Sequence, residues 1–164
     1  YLPLYFVKNF TKSIFIAAMP SPLTPPFLPP LLTGRIYGVG VDLCHSQRIA
    51  AAHARHGERL VQRILTPLEQ AEFATRTAHD QGRGLRYLAS RFTAKEALAK
   101  ALGTGLRGVM GFQSASVLND DLGKPIWQTH GELTNLFQSE QLLAHLSLSD
   151  EGEYVLAFCV IEKC

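Results

Sequence analysis

Two segments far apart in the chain each place a single carboxylate among glycines and apolar residues, and this pattern constrains the fold more than any other feature. Residues 38–43 read Gly-Val-Gly-Val-Asp-Leu, and residues 91–105 carry Glu96 within an alanine-rich stretch. Burying an unpaired carboxylate is costly, so such a group is paired with a cation, bound to a metal ion or protonated. We therefore expect Asp42 and Glu96 to belong to a functional site.

The first segment alternates as a β-strand would over residues 35–43, since successive side chains of a strand point to opposite faces. One face holds Val39, Val41 and Leu43, and the other holds Gly38, Gly40 and Asp42. Glycine inside a strand commonly marks close approach by a ligand or by another backbone. The glycine face thus predicts a site at Asp42, and the simpler alternative is an aspartate that ends the strand in a turn.

The second segment has the period of a helix over residues 84–102. One stripe contains Leu85, Leu88, Ala89, Phe92 and Ala99, and Glu96 falls in the middle of it. Two interpretations stay open. Lys100, one turn later, can pair with Glu96 in an i,i+4 contact worth only about 0.2–0.5 kcal/mol. Alternatively, Glu96 and Asp42 are two oxygen ligands of one hard cation such as Mg²⁺, whose shell is completed by water and substrate phosphates.

Composition and charge fit one enzyme domain with an acidic partner. The chain has 164 residues, of which 46% are hydrophobic, so it can bury one sizeable core. Residues 35–91 contain nine arginines and five acids, whereas residues 92–164 contain five basic and nine acidic residues. The arginine-rich half indicates an acidic partner, and the alternative is scattered arginines that are simply solvated. Nucleic acid is not expected, because the sequence has no recognisable nucleic-acid-binding motif and no basic run with interleaved aromatic residues.

The cysteines indicate a reducing, cytoplasmic setting. Cys44, Cys159 and Cys164 are odd in number and lack the spacing of metal ligands. Cys44 lies two residues after Asp42, but without a neighbouring base we expect a small packed residue and not a nucleophile. The chemistry is therefore expected to depend on carboxylates and not on a thiolate.

The first 34 residues differ in character from the rest of the chain. Residues 1–18 are apolar and aromatic, yet polar and basic residues interrupt the roughly 18 near-continuous apolar residues that a membrane span needs. Residues 20–30 contain six prolines and predict an extended linker. We interpret Met19 as a natural start and residues 1–18 as upstream sequence, with a processed targeting segment as the minority interpretation. No membrane association is expected.

After residue 34 the local signals alternate between strands and helices. They predict strands at 35–43, 112–118, 125–128, 145–149 and 155–161, and helices at 46–56, from Thr66 onward, at 84–102 and at 131–141. Thr66 precedes a proline at the first helical position and Glu69 at the third, which specifies a helix start. The last two strands should form a hairpin with the nearly all-apolar final strand in the centre, and the mixture predicts the α+β class.

Four stretches in fixed order identify a family. They are Gly-x-Gly-x-Asp ending at Asp42, Arg48-Ile49, the run Arg-Phe-x-Ala-Lys-Glu-Ala-x-x-Lys-Ala-x-Gly-Thr-Gly at 91–105, and Asn-Asp-Asp-Leu-Gly-Lys-Pro at 119–125. With the C-terminal strand pair they resemble the bacterial holo-acyl-carrier-protein synthases, the small 4′-phosphopantetheinyl transferases. The resemblance implies a 4′-phosphopantetheinyl transferase-like fold, an antiparallel sheet packed on a long central helix, at residues 35–164 after a non-domain extension at 1–34.

The resemblance implies transfer of the 4′-phosphopantetheine arm of coenzyme A to a serine of apo-acyl carrier protein, for fatty acid biosynthesis, with release of adenosine 3′,5′-bisphosphate. Mg²⁺ would be held by Asp42 and Glu96, which with Lys100 would form the catalytic group. Coenzyme A would be bound by Arg86, Arg91, Lys100, Gly103, Thr104, Gly105 and His145. Surface salt bridges for the two arginines, and a mere helix cap for the Gly-Thr-Gly turn, are the alternatives.

The resemblance also implies partners. Acyl carrier proteins are small and acidic, and Arg48 and Arg55, seven apart on one helix face, would dock them. A homotrimer with active sites between subunits is implied as well. The alternative function is a noncatalytic module that binds acyl carrier protein or coenzyme A without turnover.

Two points of the expected chemistry are left open by the sequence. His45 stands where many family members have a glutamate, so an outer-shell carboxylate three residues after the metal-binding aspartate is missing. The acceptor of the serine proton is not identified. Glu69, Asp150, a metal-bound water and solvent are all candidates.

Overall fold

The computed structural model describes residues 36–164, so the interpretations made for residues 1–34 lie outside the described part of the chain. In chain order the elements are β1 Ile36–His45, α1 Ser46–His56, α2 Glu58–Ile64, α3 Pro67–His79, α4 Gln81–Ala101, β2 Ala115–Asn119, β3 Pro125–Thr129, α5 Glu132–Ser139, β4 Leu142–Glu151 and β5 Tyr154–Lys163. None of the helices in this range is long and apolar enough to cross a membrane.

The strands form two antiparallel sheets, one of three strands in the order β1-β5-β4 and one of the two strands β2 and β3. The predicted C-terminal hairpin is therefore confirmed, and β5 is the central strand as expected from its apolar run. Asp42 lies opposite Ala157 of β5, which lies opposite Leu148 of β4. Helix α4 packs across the inner face of this sheet, so the predicted α+β fold, an antiparallel sheet on a long central helix, is confirmed.

The glycines of β1 let the strand and the helix touch. A Cβ added at Gly38 would lie 1.9 Å from the carbonyl oxygen of Ala101, and a Cβ added at Gly40 would lie 2.0 Å from that of Ala97. These distances leave no room for any side chain, so both positions require glycine because the backbones are in contact. Of the two causes considered for the glycine face, close approach of another backbone is the one observed.

Helix boundaries follow the local signals, with a few differences. Thr66 and Glu69 form the capping box that starts α3, and a break follows α1 at Gly57. Helix α4 begins at Gln81, three residues earlier than predicted, because the Asp80 side chain caps it by accepting from the N–H of Gly82 at 2.7 Å. Helix α2 was not predicted, since seven residues are too few to show a helical period.

Strands β2 and β4 start at residues other than those predicted. Strand β2 begins at residue 115 and not at 112, because residues 111–114 make a turn in which the Ser114 N–H donates to the Gly111 carbonyl oxygen. Strand β4 begins at Leu142 and not at residue 145, which shortens α5 to 132–139. These shifts leave the faces of the strands as predicted, with Leu146 buried and His145 exposed.

Candidate active site

Asp42 and Glu96 meet where β1 crosses α4. Both carboxylates are buried, Asp42 with 5% and Glu96 with 7% of their surface exposed. Lys100, one turn after Glu96, donates from Nζ to Asp42 Oδ1 and to the Val41 carbonyl oxygen, each at 2.7 Å. The lysine that was considered as a partner for Glu96 thus bonds directly to the other carboxylate of the site.

The environment of Glu96 disfavours its charged form. The pKa of its carboxyl group is raised to about 7, first by burial and second by the negative charge of Asp42, while Lys100 opposes the rise. Two buried carboxylates and one ammonium group carry a net negative charge when both acids are ionised. A proton or a further cation is needed to neutralise that charge.

A second buried ion pair lies on another side of α4, and sequence reasoning missed it. Lys95 is fully buried and donates to Glu69 Oε2 at 2.5 Å and to the carbonyl oxygens of Ile64 and Phe112 at 2.7 Å each. Glu69 also accepts from the N–H groups of Thr66 and Val117, each at 2.8 Å. All three N–H donors of the Lys95 ammonium group are used. The pair therefore links α4 to α3 directly and to β2 through the bond from Val117 to Glu69. The hydrophilic Lys95 within the alanine-rich run was the available signal.

Arginines line a cleft of about 280 Å³ between α3, α4 and the end of β4. Its lining includes Arg76, Arg83, Arg86, Tyr87, Arg91, Ser149 and Asp150. Arg86 and Arg91 were predicted, whereas Arg76 and Arg83 were not. The spacing of Arg83, Tyr87 and Arg91 at intervals of four places these residues in one row of a helix, and this signal could have found Arg83.

Surface salt bridges were the alternative considered for Arg86 and Arg91, and among the described residues only Arg86 makes one. Arg86 Nη2 lies 3.9 Å from Asp80 Oδ2, a long contact between two half-exposed side chains. Arg91 makes no salt bridge among residues 36–164, although it is buried. Arg76 pairs closely with Glu72 at 2.6 Å, and Asp150 also lines the cleft. Arg86 and Arg91 have little protein counter-charge and are therefore suited to phosphate groups.

The Gly-Thr-Gly turn caps α4. Gly103 and Gly105 have positive φ angles of 72° and 63°, which favour glycine. The Gly103 N–H donates to the Lys100 carbonyl oxygen at 2.9 Å, and the Gly105 N–H donates to that of Ala99 at 3.1 Å. Both N–H groups are therefore used by the helix end in this structure. The Thr104 hydroxyl donates to the Gly105 carbonyl oxygen at 2.9 Å.

His145 lies on the outer face of the three-stranded sheet, away from Asp42 on the inner face, and its Nε2 is 3.2 Å from Glu162 Oε2. The same outer face carries an exposed apolar patch, which we call the outer patch. It consists of Val41, Leu43, Tyr154, Leu156 and Phe158. In one subunit the structure therefore does not bring His145 to the carboxylates.

Helix α1 presents Arg48 and Arg55 on an exposed surface, next to the end of β1. His45 immediately precedes this helix, and its Nε2 lies 3.1 Å from Glu153 Oε2 in the β4–β5 turn. Gln47 also bonds to Glu153. His45 thus sits at the entry of α1 and ties this helix to the turn, with its ring packed edge-on against Tyr154 at 4.9 Å.

The structure narrows the open choices of proton acceptor and nucleophile. Glu69 is fully buried in its pair with Lys95, so it cannot reach a substrate. Asp150 is exposed at the arginine cleft and stays a candidate. The pKa of the buried Cys44 thiol is raised to about 11, first by burial and then by Asp42, so the thiol stays protonated at neutral pH, as expected for a packed residue.

Comparisons with known proteins agree on one family. A family model described as the 4′-phosphopantetheinyl transferase superfamily matches residues 38–159. A holo-[acyl-carrier-protein] synthase of Polaromonas is 47% identical over 128 residues, which cover 78% of this chain and 97% of that protein. The crystal structure of such a synthase from Neisseria meningitidis has a TM-score of 0.72 and 41% identity, covering 78% of this chain and 99% of that one.

A synthase from Bacillus anthracis, solved in complex with CoA (3′,5′-ADP), has a TM-score of 0.66 and 33% identity. The match covers 80% of this chain and 100% of that one.

Proposed function

This chain belongs to the holo-acyl-carrier-protein synthases of the 4′-phosphopantetheinyl transferase superfamily, and we propose that Asp42 and Glu96 hold the magnesium ion at which it works. The enzyme transfers the 4′-phosphopantetheine arm of coenzyme A to a serine hydroxyl of apo-acyl carrier protein. The products are holo-acyl carrier protein, which serves fatty acid biosynthesis, and adenosine 3′,5′-bisphosphate.

The buried carboxylate pair is the observation that carries the metal assignment. Residues 36–164 contain no group of three or more histidine, cysteine or acidic side chains arranged for a metal ion. Mg²⁺ is commonly held by one or two carboxylates, with water and substrate phosphates as its other ligands, and so it fits a site with only Asp42 and Glu96. A bound Mg²⁺ would neutralise charge on the oxygens of the transferred phosphoryl group. It would also stabilise the charged form of Glu96, whose pKa is raised first by burial and second by the negative charge of Asp42.

The arginine cleft supports binding of coenzyme A through its phosphates. Arg86 and Arg91 are assigned to the 3′-phosphate or the pyrophosphate, and Arg76 and Arg83 extend the same positive surface. Guanidinium groups bind phosphate in charge-assisted, often bidentate hydrogen bonds. The cleft is lined on its other side by Ser149 and Asp150 of β4, so it lies between the central helix and the sheet edge.

Lys100 and the turn that follows it are assigned to the reacting phosphates. Lys100 already lies beside Asp42, so its ammonium group would offset the negative charge that develops on the leaving oxygen. The N–H groups of Gly103 and Gly105 are occupied by the helix cap. The turn would therefore contact a phosphate mainly through Thr104, which is exposed.

Carrier-protein docking is assigned to α1, where Arg48 and Arg55 present an exposed basic face to an acidic partner. Such electrostatic contacts raise the association rate and make it sensitive to salt. Replacing Arg55 with glutamate is expected to raise the KM for acyl carrier protein about tenfold or more at low salt. The kcat, measured at saturating acyl carrier protein, should change little. Steady-state assays across ionic strengths would check this, and an unchanged KM would refute the docking assignment.

The outer patch supports assembly as a homotrimer. Contiguous exposed apolar side chains on a sheet face commonly mark an interaction surface. Val41 lies opposite Phe158 and Leu43 lies opposite Leu156, so the patch is continuous across β1 and β5. A neighbouring subunit packed on this face would bring His145 of one subunit toward the nucleotide bound by another.

The three cysteines are free, in keeping with a reducing cytoplasm.

Intact-protein mass spectrometry tests the function and the metal assignment together. Apo-acyl carrier protein is incubated with coenzyme A, Mg²⁺ and the enzyme, and a gain of one phosphopantetheine group is expected. The gain should be lost with Asp42→Ala and with Glu96→Ala but kept with the matched control Glu132→Ala, an exposed acid on α5. Retention of activity in either carboxylate variant, at low Mg²⁺, would overturn the metal assignment.

A further inference from the structure

We propose that Asn119 is a positioning residue that aims Arg91 at a phosphate group of coenzyme A, and this inference rests on the assignment of Arg91 to that ligand. Asn119 begins the Asn-Asp-Asp-Leu-Gly-Lys-Pro stretch, which the chemistry described so far does not use. The stretch joins β2 to β3, far along the chain from α4. The hydrogen bond between the Asn119 and Arg91 side chains links it to the cleft.

Arg91 is held on three sides. Its guanidinium carbon lies 4.1 Å from the centre of the Tyr87 ring, in stacking distance. Nη2 donates to Asn119 Oδ1 at 3.0 Å, and Nη1 donates to Ser90 Oγ at 3.2 Å. Only 6% of the residue is exposed, and its Nε–H is buried without an acceptor among the described residues. A guanidinium group has five N–H donors, so donors remain for a phosphate at the cleft.

Asn119 is itself fixed by the turn that it begins. Its Nδ2 donates to the Gly123 carbonyl oxygen at 2.7 Å. Asp120 Oδ1 accepts from the N–H groups of Leu122 and Lys124 at 2.9 and 2.8 Å, and Gly123 has a φ of 85° that favours glycine. The turn is therefore internally bonded, and it presents the amide oxygen of Asn119 to Arg91 in one orientation.

The side chain that accepts the hydrogen bond from Arg91 is the uncharged amide of Asn119 and not a carboxylate. A carboxylate at position 119 would hold the same guanidinium group more strongly, but it would neutralise the charge that a phosphate ligand needs. The amide oxygen of Asn119 orients Arg91 and leaves its full positive charge available. The amide also donates from Nδ2 to the Gly123 carbonyl oxygen, which a carboxylate could not do, so asparagine both holds the turn and orients Arg91.

Enzyme kinetics and calorimetry on the full-length protein test the proposal. The variants are Asn119→Ala, Asn119→Asp and Arg91→Ala, with Asn135→Ala on the exposed face of α5 as the matched control. Each is assayed for kcat and KM with coenzyme A and with dephospho-coenzyme A, and for its Kd for adenosine 3′,5′-bisphosphate. We expect both Asn119 variants to raise KM and Kd by about tenfold, the usual scale for a charge-assisted hydrogen bond, with kcat nearly unchanged.

Asn119→Asp gives a second readout, because it keeps an oxygen that accepts from Arg91 but adds a negative charge and loses the Nδ2 donor to Gly123. We expect it to weaken phosphate binding at least as much as Asn119→Ala does, and the melting temperatures of both variants report any separate cost to the turn. If Arg91→Ala raises KM for coenzyme A but not for dephospho-coenzyme A, Arg91 is assigned to the 3′-phosphate. If it raises KM equally for both substrates, Arg91 is assigned to the pyrophosphate. If Arg91→Ala raises KM and Kd but Asn119→Ala and Asn119→Asp do not, the positioning role is refuted and the phosphate assignment stands. If Arg91→Ala changes neither constant, the phosphate assignment itself fails.

Discussion

Replacing Glu96 with glutamine should stabilise the metal-free protein above neutral pH. The folded state raises the pKa of this carboxyl group from 4.5 to about 7, so between these values it binds a proton that the unfolded chain has released. Stability therefore falls as the pH rises through this window. At about 1.4 kcal/mol per pKa unit, ionised Glu96 costs on the order of 3 kcal/mol at pH 8. Glutamine resembles the protonated acid and removes that cost.

The assay is urea denaturation of parent and variant at pH 5 and pH 8, in the presence of a chelator and at one protein concentration. We expect the two proteins to be similar at pH 5 and the variant to be more stable at pH 8. Glu151→Gln, which changes an exposed acid of β4, should match the parent at both values. Added Mg²⁺ should reverse the order by stabilising only the parent. A variant that is no more stable at pH 8 would refute the argument from burial and charge.

Three further outcomes are expected. Gly40→Ala should destabilise the protein by about 3 kcal/mol or more, because its Cβ would overlap the Ala97 carbonyl oxygen. The control Gly111→Ala has room for a Cβ and should leave stability nearly unchanged, and calorimetry would compare the two variants. Lys95→Met should cost about 3–5 kcal/mol in urea denaturation by leaving a buried carboxylate unpaired, and a cost under 1 kcal/mol would show that the pair is not structural. Phe158→Glu should yield monomers in analytical ultracentrifugation, where a persisting trimer would exclude the outer patch as the interface.

The sequence predicted the α+β class and the burial of each carboxylate because these depend on local periodicity, but periodicity did not decide whether the two acids act together. Alternation placed Asp42 with Gly38 and Gly40, and helical spacing placed Glu96 within an apolar stripe. Both acids lie where that pattern indicated. The family resemblance then supplied the order of the elements and the chemistry, which periodicity alone does not contain.

Contacts between distant segments could not be predicted in the same way. The pairing of Lys100 with Asp42, and that of Lys95 with Glu69, join residues 58 and 26 positions apart. A helical wheel shows only neighbours on the same helix, so Lys100 was weighed against Glu96 and not against a strand. Two of the four arginines of the cleft were predicted. Arg76 was missed because it comes from another helix, whereas Arg83 lies on the same helix as Arg86 and Arg91 and could have been found by its spacing.

The contact of two backbones at Gly38 and Gly40 has a consequence for the choice of metal ion. Asp42 and Glu96 are carried by a strand and a helix whose backbones are in contact at these glycines, so that contact fixes the distance between the two backbones. Mg²⁺ takes short oxygen bonds in a near-ideal octahedron, whereas Ca²⁺ needs longer bonds and more ligands. If Asp42 and Glu96 hold the proposed ion, this fixed spacing of strand and helix should favour Mg²⁺ over the larger Ca²⁺, and the two glycines would influence metal choice without contacting the metal.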